Sequence, residues 1–157
     1  FEPAYRDRRV EIPDGKDPWW IMPIYQWHKD DLFSHYSSVY IRSAQRFREA
    51  TRLTDEQIEL FELIETISNE PGLYLRMPFQ AGDVQFVNNH HMFHARDSYE
   101  DWPEQGRRRH LLRLWICPPA GPPLPQAYEE RYGDISIGNR GGIIVPGSDL
   151  TVPLTPA

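Results

Sequence analysis

Proline and glycine limit what this chain can fold into more than any other feature. Fifteen of the 157 residues are proline and ten are glycine, and no Gly-X-Y repeat orders them. This content excludes collagen and argues against a coiled coil, because proline breaks helices and glycine favours turns. The hydrophobic share of 39% is enough for a core. We therefore expect a loop-rich domain dominated by β-strands.

Charge and cysteine content narrow the class of protein. Seventeen Lys and Arg face 23 Asp and Glu, for a net charge of −6, which argues against a nucleic-acid partner. No apolar run reaches the roughly 18 residues of a membrane span, so we expect no membrane partner either. Cys117 is the single cysteine, which fits a reducing, cytoplasmic compartment. A small-molecule ligand is the expected partner.

Helices are predicted in two segments of the first half. Residues 38–47 place apolar side chains at helical spacing. Thr54 and Gln57 have the spacing of a capping box, and the helix they begin is expected to stop at Pro71 and Gly72.

Strands are predicted in five segments. Runs at 24–27 and 32–36 flank a polar turn and predict a hairpin, and further strands are expected at 73–79, 84–87 and 109–116. The resulting class is α+β, mainly antiparallel β. Outside these elements, residues 1–23 are expected to form an extended arm and the tail from residue 118 to form loops.

Four histidines are candidate metal ligands. His90, His91 and His94 lie within five residues, and His110 lies in the predicted strand 109–116. In a strand, His90 and His94 share one face and His91 takes the other, so at most two of these three could share a metal. Imidazole suits iron, zinc, copper and nickel. A structural, hydrogen-bonded role for each histidine remains open.

Two arginines point to an anion. Arg109 and Arg113 are four residues apart, so an extended backbone places both on one face with Leu111 and Trp115. Guanidinium groups on a half-apolar face need a carboxylate or another anion. That anion is either an Asp or Glu of the same domain or a bound ligand beside a histidine metal site.

An ordered set of short motifs extends over nearly the whole chain. The motifs are residues 23–25, 40–41, 44–47, 53–54, 82–89, 94–96, 99–101, 108–115, 131–133 and 140–142. Together they resemble the C-terminal half of the TauD/TfdA family of iron(II)- and 2-oxoglutarate-dependent dioxygenases.

The resemblance implies a double-stranded β-helix, or jelly roll, and assigns roles to three residues. His94 corresponds to the distal histidine of the two-histidine, one-carboxylate iron triad. Arg109 corresponds to the arginine that binds the distal carboxylate of 2-oxoglutarate, and Arg113 to a second arginine near the cosubstrate or a substrate anion. Arg96 could reach a substrate anion, with a salt bridge to Asp97, Glu100 or Asp101 as the alternative.

The other two iron ligands in this family are a His-x-Asp pair earlier in the chain. His28 and Asp30 have this spelling, but little chain separates them from His94 for the intervening barrel strands. We therefore expect residues 1–157 to be the C-terminal portion of one dioxygenase domain, with the pair in polypeptide N-terminal to Phe1. His28 and Asp30 stay as alternative ligands.

The function implied by the resemblance is oxidation, typically hydroxylation, of a small molecule. Fe(II), O2 and 2-oxoglutarate would take part, and 2-oxoglutarate would become succinate and CO2. Two alternatives stay open. One is a non-catalytic jelly-roll module that binds a small acid or serves a homo-oligomer, and the other is a cupin-like metalloenzyme that works without 2-oxoglutarate.

Overall fold

The computed structural model describes residues 2–138, which divide into two compact units. The first unit comprises residues 2–9 and 17–93, and the second comprises residues 10–16 and the chain from 94 onward. The end of the predicted tail, including the family-like segment 140–142, lies outside the described residues.

The strands of the first unit form two antiparallel pairs. β1 (Pro3–Asp7) pairs with β2 (Trp19–Pro23), with Pro3 opposite Pro23 and Asp7 opposite Trp19. β3 (Tyr25–His28) pairs with β4 (Asp31–Ser34) across a two-residue turn. The predicted hairpin is therefore confirmed, and Lys29 makes its turn with a φ of 56°.

Two helices follow the hairpins. α1 (Ser38–Ala44) occupies most of the first predicted helix. α2 (Asp55–Ser68) begins at the predicted capping box, in which the Gln57 amide donates to Thr54 Oγ1 and the Thr54 amide donates to Gln57 Oε1. Both orphan amides at the helix start are thus paired. Within residues 2–138, no helix has the length and apolar character needed to cross a membrane.

The core of the first unit lies where the helices meet the strands. Ile24, Ile41 and Phe61 form its centre, and Tyr36 packs against them. The Tyr36 hydroxyl donates to the Phe61 carbonyl (3.3 Å) and to Glu65 Oε1 (3.0 Å). Burial first, and then Glu65, raises the pKa of Tyr36 to about 12, so this phenol stays protonated and links the loop before α1 to α2.

Residues 2–23 do not form the expected arm, because β1 and the residue that follows it include three consecutive buried charged residues, Arg6, Asp7 and Arg8. Arg6 donates to the carbonyls of Met22 and Pro23, and Arg8 Nε donates to the carbonyls of Asp17 and Trp19. These side chains satisfy backbone acceptors within their own hairpin. Residues 2–9 and 17–23 therefore contain a strand pair that is an integral part of the first unit.

Asp7 connects this hairpin to α1. It is 2% exposed and accepts from Arg46 Nε (2.9 Å), Arg46 Nη2 (3.2 Å), the Arg9 amide (2.8 Å) and the Ser43 hydroxyl. Burial raises the pKa of Asp7, but hydrogen bonds from Arg46, Ser43 and Arg9 outweigh burial and hold it below its ordinary value of 3.8. The ionised form is therefore the one that this unit stabilises.

The second unit contains short helical turns. A 3₁₀ turn spans Gln105–Arg107, and another at Gln126–Tyr128 leads into α3 (Glu129–Tyr132). Arg131 of α3 pairs with Glu11 at 3.1 Å, which ties the segment 10–16 to the helix. The tail after residue 118 is therefore partly helical rather than loops alone.

The α+β class with antiparallel strands is confirmed, but three predicted strands are wrong for this structure. Residues 73–79, 84–87 and 109–116 are irregular, and strands do not dominate residues 2–138. Side chains in them are widely exposed, as with Leu75 (87%), Phe86 (81%) and Leu114 (76%). Alternating apolar residues make a strand only when a neighbour pairs its backbone, and none does so here. The described residues therefore form no double-stranded β-helix.

Replacing Asp7 by Asn should lower the free energy of unfolding at pH 7 by about 1–3 kcal/mol, the range for a buried charged hydrogen-bonding group that loses its partners. Because the folded-state pKa is depressed, the stabilisation is present above pH 3.8 and disappears as the pH falls through that pKa. Urea unfolding of both proteins at pH 7 and pH 3 measures this, and the difference should narrow at pH 3.

The matched control is Glu49→Gln, because Glu49 pairs with Arg48 at 2.8 Å on the surface. This change should leave the urea midpoint unaltered. Equal effects of the two substitutions would show that burial of Asp7 does not matter.

Candidate functional site

The turn at 88–91 precedes the candidate metal histidine and is held by hydrogen bonds within the turn and to β4. Asn88 Oδ1 accepts from the His90 amide at 3.1 Å, and the Asn88 carbonyl accepts from the amides of His91 and Met92. On the other side, the Ser34 amide and hydroxyl both donate to the His90 carbonyl, at 2.8 and 3.2 Å. The end of β4 therefore positions the chain just before it enters the second unit.

His90 and His91 pack against β4. The ring of the buried Phe33 lies 5.9 Å from His90 and 5.2 Å from His91, between ring centres. His28 also contacts Phe33, at 6.1 Å. These ring contacts give His28, His90 and His91 a packing role in the first unit.

The predicted iron ligands are not assembled in the described residues. His28 ends β3 opposite Asp31, and Asp30 lies in the turn of the same hairpin, whereas His94 is an exposed residue of the second unit. Within residues 2–138, no three His, Cys, Asp or Glu side chains come together in a way that could hold a metal ion. The residues described therefore do not fit a complete iron site.

Arg109 is positioned by a folded segment of the second unit. Its amide donates to Asp101 Oδ1 at 2.7 Å, and its guanidinium carbon lies 5.3 Å from the centre of the Tyr99 ring. Arg96 lies over the same ring at 4.8 Å. Arg96 thus contacts an aromatic ring, and the alternative of a salt bridge to Asp97, Glu100 or Asp101 is not realised.

Arg113 is exposed, and its guanidinium has no ion pair or hydrogen bond to any residue from 2 to 138. The shared face expected for Arg109, Leu111, Arg113 and Trp115 required an extended strand, which this structure lacks. Sequence reasoning also missed Tyr99 and Asp101 as the residues that position Arg109. Their signal in the sequence is the motif 99–101, in which Asp101 was expected only as a possible salt-bridge partner of Arg96.

A groove of about 470 Å³ lies in the first unit between β1, α1 and α2. Its walls include the core residues Ile41 and Phe61. Gln45 at its edge already donates to the Thr51 carbonyl and accepts from the Leu53 amide. The groove is thus mainly an apolar surface whose polar edge is internally hydrogen-bonded.

Comparison with known proteins decides the family. The sequence model of the taurine catabolism dioxygenase TauD, TfdA family matches residues 2–115. This chain belongs to the TauD/TfdA family. The match takes in His28, Asp30, His94, Arg96, Arg109 and Arg113, so every candidate site residue lies within the family region.

Two curated relatives are similar to this family member. FR-33289 synthase of Streptomyces rubellomurinus is 32% identical over 138 residues, which are 83% of this chain and 39% of that protein. The taurine hydroxylase-like protein SAT17 of Stachybotrys chartarum is 40% identical over 55 residues, which are 30% of this chain and 14% of that protein. The chain thus spans well under half of the relatives it matches.

Removing the Asp101 carboxylate should free the Arg109 amide. A hydrogen bond to a charged group contributes about 1.5 kcal/mol, so Asp101→Ala should speed hydrogen exchange of the Arg109 amide about tenfold. Exchange followed by NMR measures this amide directly.

Asp83→Ala is the control, because Asp83 accepts from the Gln80 amide at 2.8 Å in the same kind of backbone contact. This substitution should speed exchange at Gln80 and leave Arg109 unchanged. An Arg109 amide that exchanges at the wild-type rate in Asp101→Ala would contradict the contact.

Proposed function

We propose that this chain is part of an Fe(II)- and 2-oxoglutarate-dependent dioxygenase that oxidises a small molecule. In this proposal O2 is the oxidant, the substrate is typically hydroxylated, and 2-oxoglutarate becomes succinate and CO2. The observation that carries the proposal is Arg109, a family-region arginine whose exposed guanidinium has no ion pair to residues 2–138. We also propose a cytoplasmic location, which the single cysteine supports.

Arg109 is proposed to bind the distal carboxylate of 2-oxoglutarate. A guanidinium presents a planar fork of N–H donors, which matches a carboxylate with two parallel hydrogen bonds. Asp101 supports this role because it accepts a hydrogen bond from the backbone amide of Arg109 and not from its guanidinium. Arg113 is proposed to contribute a second positive charge for the cosubstrate or for an anionic substrate.

His94 is proposed to be one of three iron ligands. When bound, iron would supply the oxygen chemistry, and neutral imidazole is a suitable ligand for it. The described residues do not gather the other two ligands, so we assign no step at the metal. The full set requires either His28 and Asp30 in another arrangement or residues beyond the 157 of this chain, and one histidine alone binds metal weakly.

The complete domain is proposed to be a double-stranded β-helix. The segments 73–79, 84–87 and 109–116 alternate apolar and polar residues and expose large apolar side chains. Exposed patches of this kind are typical of surfaces that another element covers. The match to FR-33289 synthase covers only 39% of that protein. This coverage is consistent with further strands that would pair with the three segments.

A non-catalytic module that binds a small acid is the second candidate. It is favoured by one observation, the missing three-ligand cluster among residues 2–138. Such a module would still use Arg109 and Arg113 for a carboxylate, but it would not need His94. The cupin-like enzyme would instead use histidines and would not need Arg109.

Thermal unfolding of the chain distinguishes these functions, since a ligand that binds the folded state raises Tm. If His28 and Asp30 complete the ligand set with His94, Fe(II) and 2-oxoglutarate together should, under anaerobic conditions, raise Tm more than the sum of their separate effects, because the bound metal would supply a further ligand-binding position for 2-oxoglutarate. His94→Ala should remove the extra rise, and Arg109→Ala should weaken the 2-oxoglutarate effect.

The controls assign the remaining ligands and test the rivals. His28→Ala and Asp30→Ala should remove the extra rise only if this pair binds iron. A rise with 2-oxoglutarate alone that His94→Ala leaves intact would favour the small-acid module. A rise with metal alone that Arg109→Ala leaves intact would favour the cupin-like enzyme.

A further inference from the structure

The guanidinium groups of two arginines contact the ring of Tyr99. The guanidinium carbon of Arg96 lies 4.8 Å from the ring centre, and that of Arg109 lies 5.3 Å from it. The two guanidinium carbons are therefore no farther apart than the sum of these distances. Each contact is an attraction between a cation and the electron-rich ring, but together they bring two like charges into one neighbourhood.

Two other arginines of the second unit, Arg107 and Arg131, have carboxylate partners. Arg107 lies 3.5 Å from the Trp102 ring centre and also reaches Glu104, and Arg131 pairs with Glu11 at 3.1 Å. The guanidinium groups of Arg96 and Arg109 have no such partner among residues 2–138, although acidic residues surround them in the sequence. Both therefore keep their N–H donors for an anion that is not part of the described chain.

We propose that Arg96 and Arg109 bind one carboxylate together and that Tyr99 is the positioning residue that holds both guanidinium groups. This proposal rests on the proposed function and deepens it. It adds Arg96 as a second arginine that binds the distal carboxylate of 2-oxoglutarate, and Tyr99 as the residue that positions both arginines. Arg96 then serves the cosubstrate rather than the substrate.

The physical reason is charge balance. A carboxylate between two guanidinium groups accepts hydrogen bonds from both and removes the repulsion between them. The aromatic ring is what holds the two cations before the anion arrives, so less ordering remains to be done on binding. The ring face makes these contacts, so a phenyl ring should replace Tyr99 and an aliphatic side chain should not.

Equilibrium dialysis of radiolabelled 2-oxoglutarate against the chain, in buffer with EDTA, measures the carboxylate site without metal. Arg96→Ala and Arg109→Ala should each raise Kd about tenfold, the loss of a charge-assisted hydrogen bond. Their effects should not be additive in the double variant, because both residues bind one group. Arg96→Lys, which keeps the charge and loses the fork, should fall between wild type and Arg96→Ala.

The positioning role is tested at Tyr99. Tyr99→Leu should raise Kd about threefold, as expected for the loss of exposed cation–π contacts, while Tyr99→Phe should stay at the wild-type value. Tyr74→Leu is the matched control, because Tyr74 is also exposed and has Arg76 over its ring at 6.0 Å. It should leave Kd unchanged, and circular dichroism should match for all variants.

The outcomes separate this inference from the proposed function. If Arg109→Ala weakens binding but Arg96→Ala and Tyr99→Leu do not, the shared site is wrong and the proposed function stands. If Tyr99→Phe weakens binding as much as Tyr99→Leu, the ring is not what positions the arginines. If wild type does not bind 2-oxoglutarate, or Arg109→Ala changes nothing, both proposals fail.

Discussion

The buried carboxylate of Asp7 is the interaction on which the first unit depends. A carboxylate out of water must be paired and hydrogen-bonded, and Asp7 meets that requirement with Arg46, Ser43 and its neighbour Arg9. Two of these donors belong to α1 or the turn that follows it. The charge therefore fixes β1 against the helix, and the β1–β2 pairing then places Trp20 and Met22 in the buried layer.

Outside these hairpins, the described residues lack the backbone partners that strands need. Hairpins such as 25–34 find their partner within a few residues, whereas 73–79, 84–87 and 109–116 have no local partner. A strand in a jelly roll pairs with strands distant in sequence, so its stability depends on residues far away. In the proposed jelly roll, this dependence would account for the exposure of large apolar side chains such as Trp115, whereas the first unit has a defined core.

Features of local origin could be predicted from the sequence, and features of distant origin could not. The capping box at Thr54 and Gln57 and the turn at Lys29 depend on neighbours, and both are present. Burial of Arg6 and Asp7 could not be predicted, because their partners lie up to 39 residues away. For the site, the motifs pointed to Arg109 and Arg96, but the sharing of the Tyr99 ring is a three-dimensional fact that residue spacing does not contain.

The arginines discussed above fall into two groups according to their hydrogen-bond and ion-pair partners. One group supports the fold, and the other is the group to which the proposed function assigns ligand binding. Arg6 and Arg8 are buried against backbone carbonyls, and Arg46 completes the site of Asp7. These hydrogen bonds and this ion pair connect the guanidinium groups to the fold of the first unit. Arg96, Arg109 and Arg113 are exposed and make no ion pair within residues 2–138. An exposed ion pair contributes little to stability, so leaving these three without one has little effect on the fold. In the proposed function, their positive charge stays available for an acidic small molecule, although the net charge of the protein is −6.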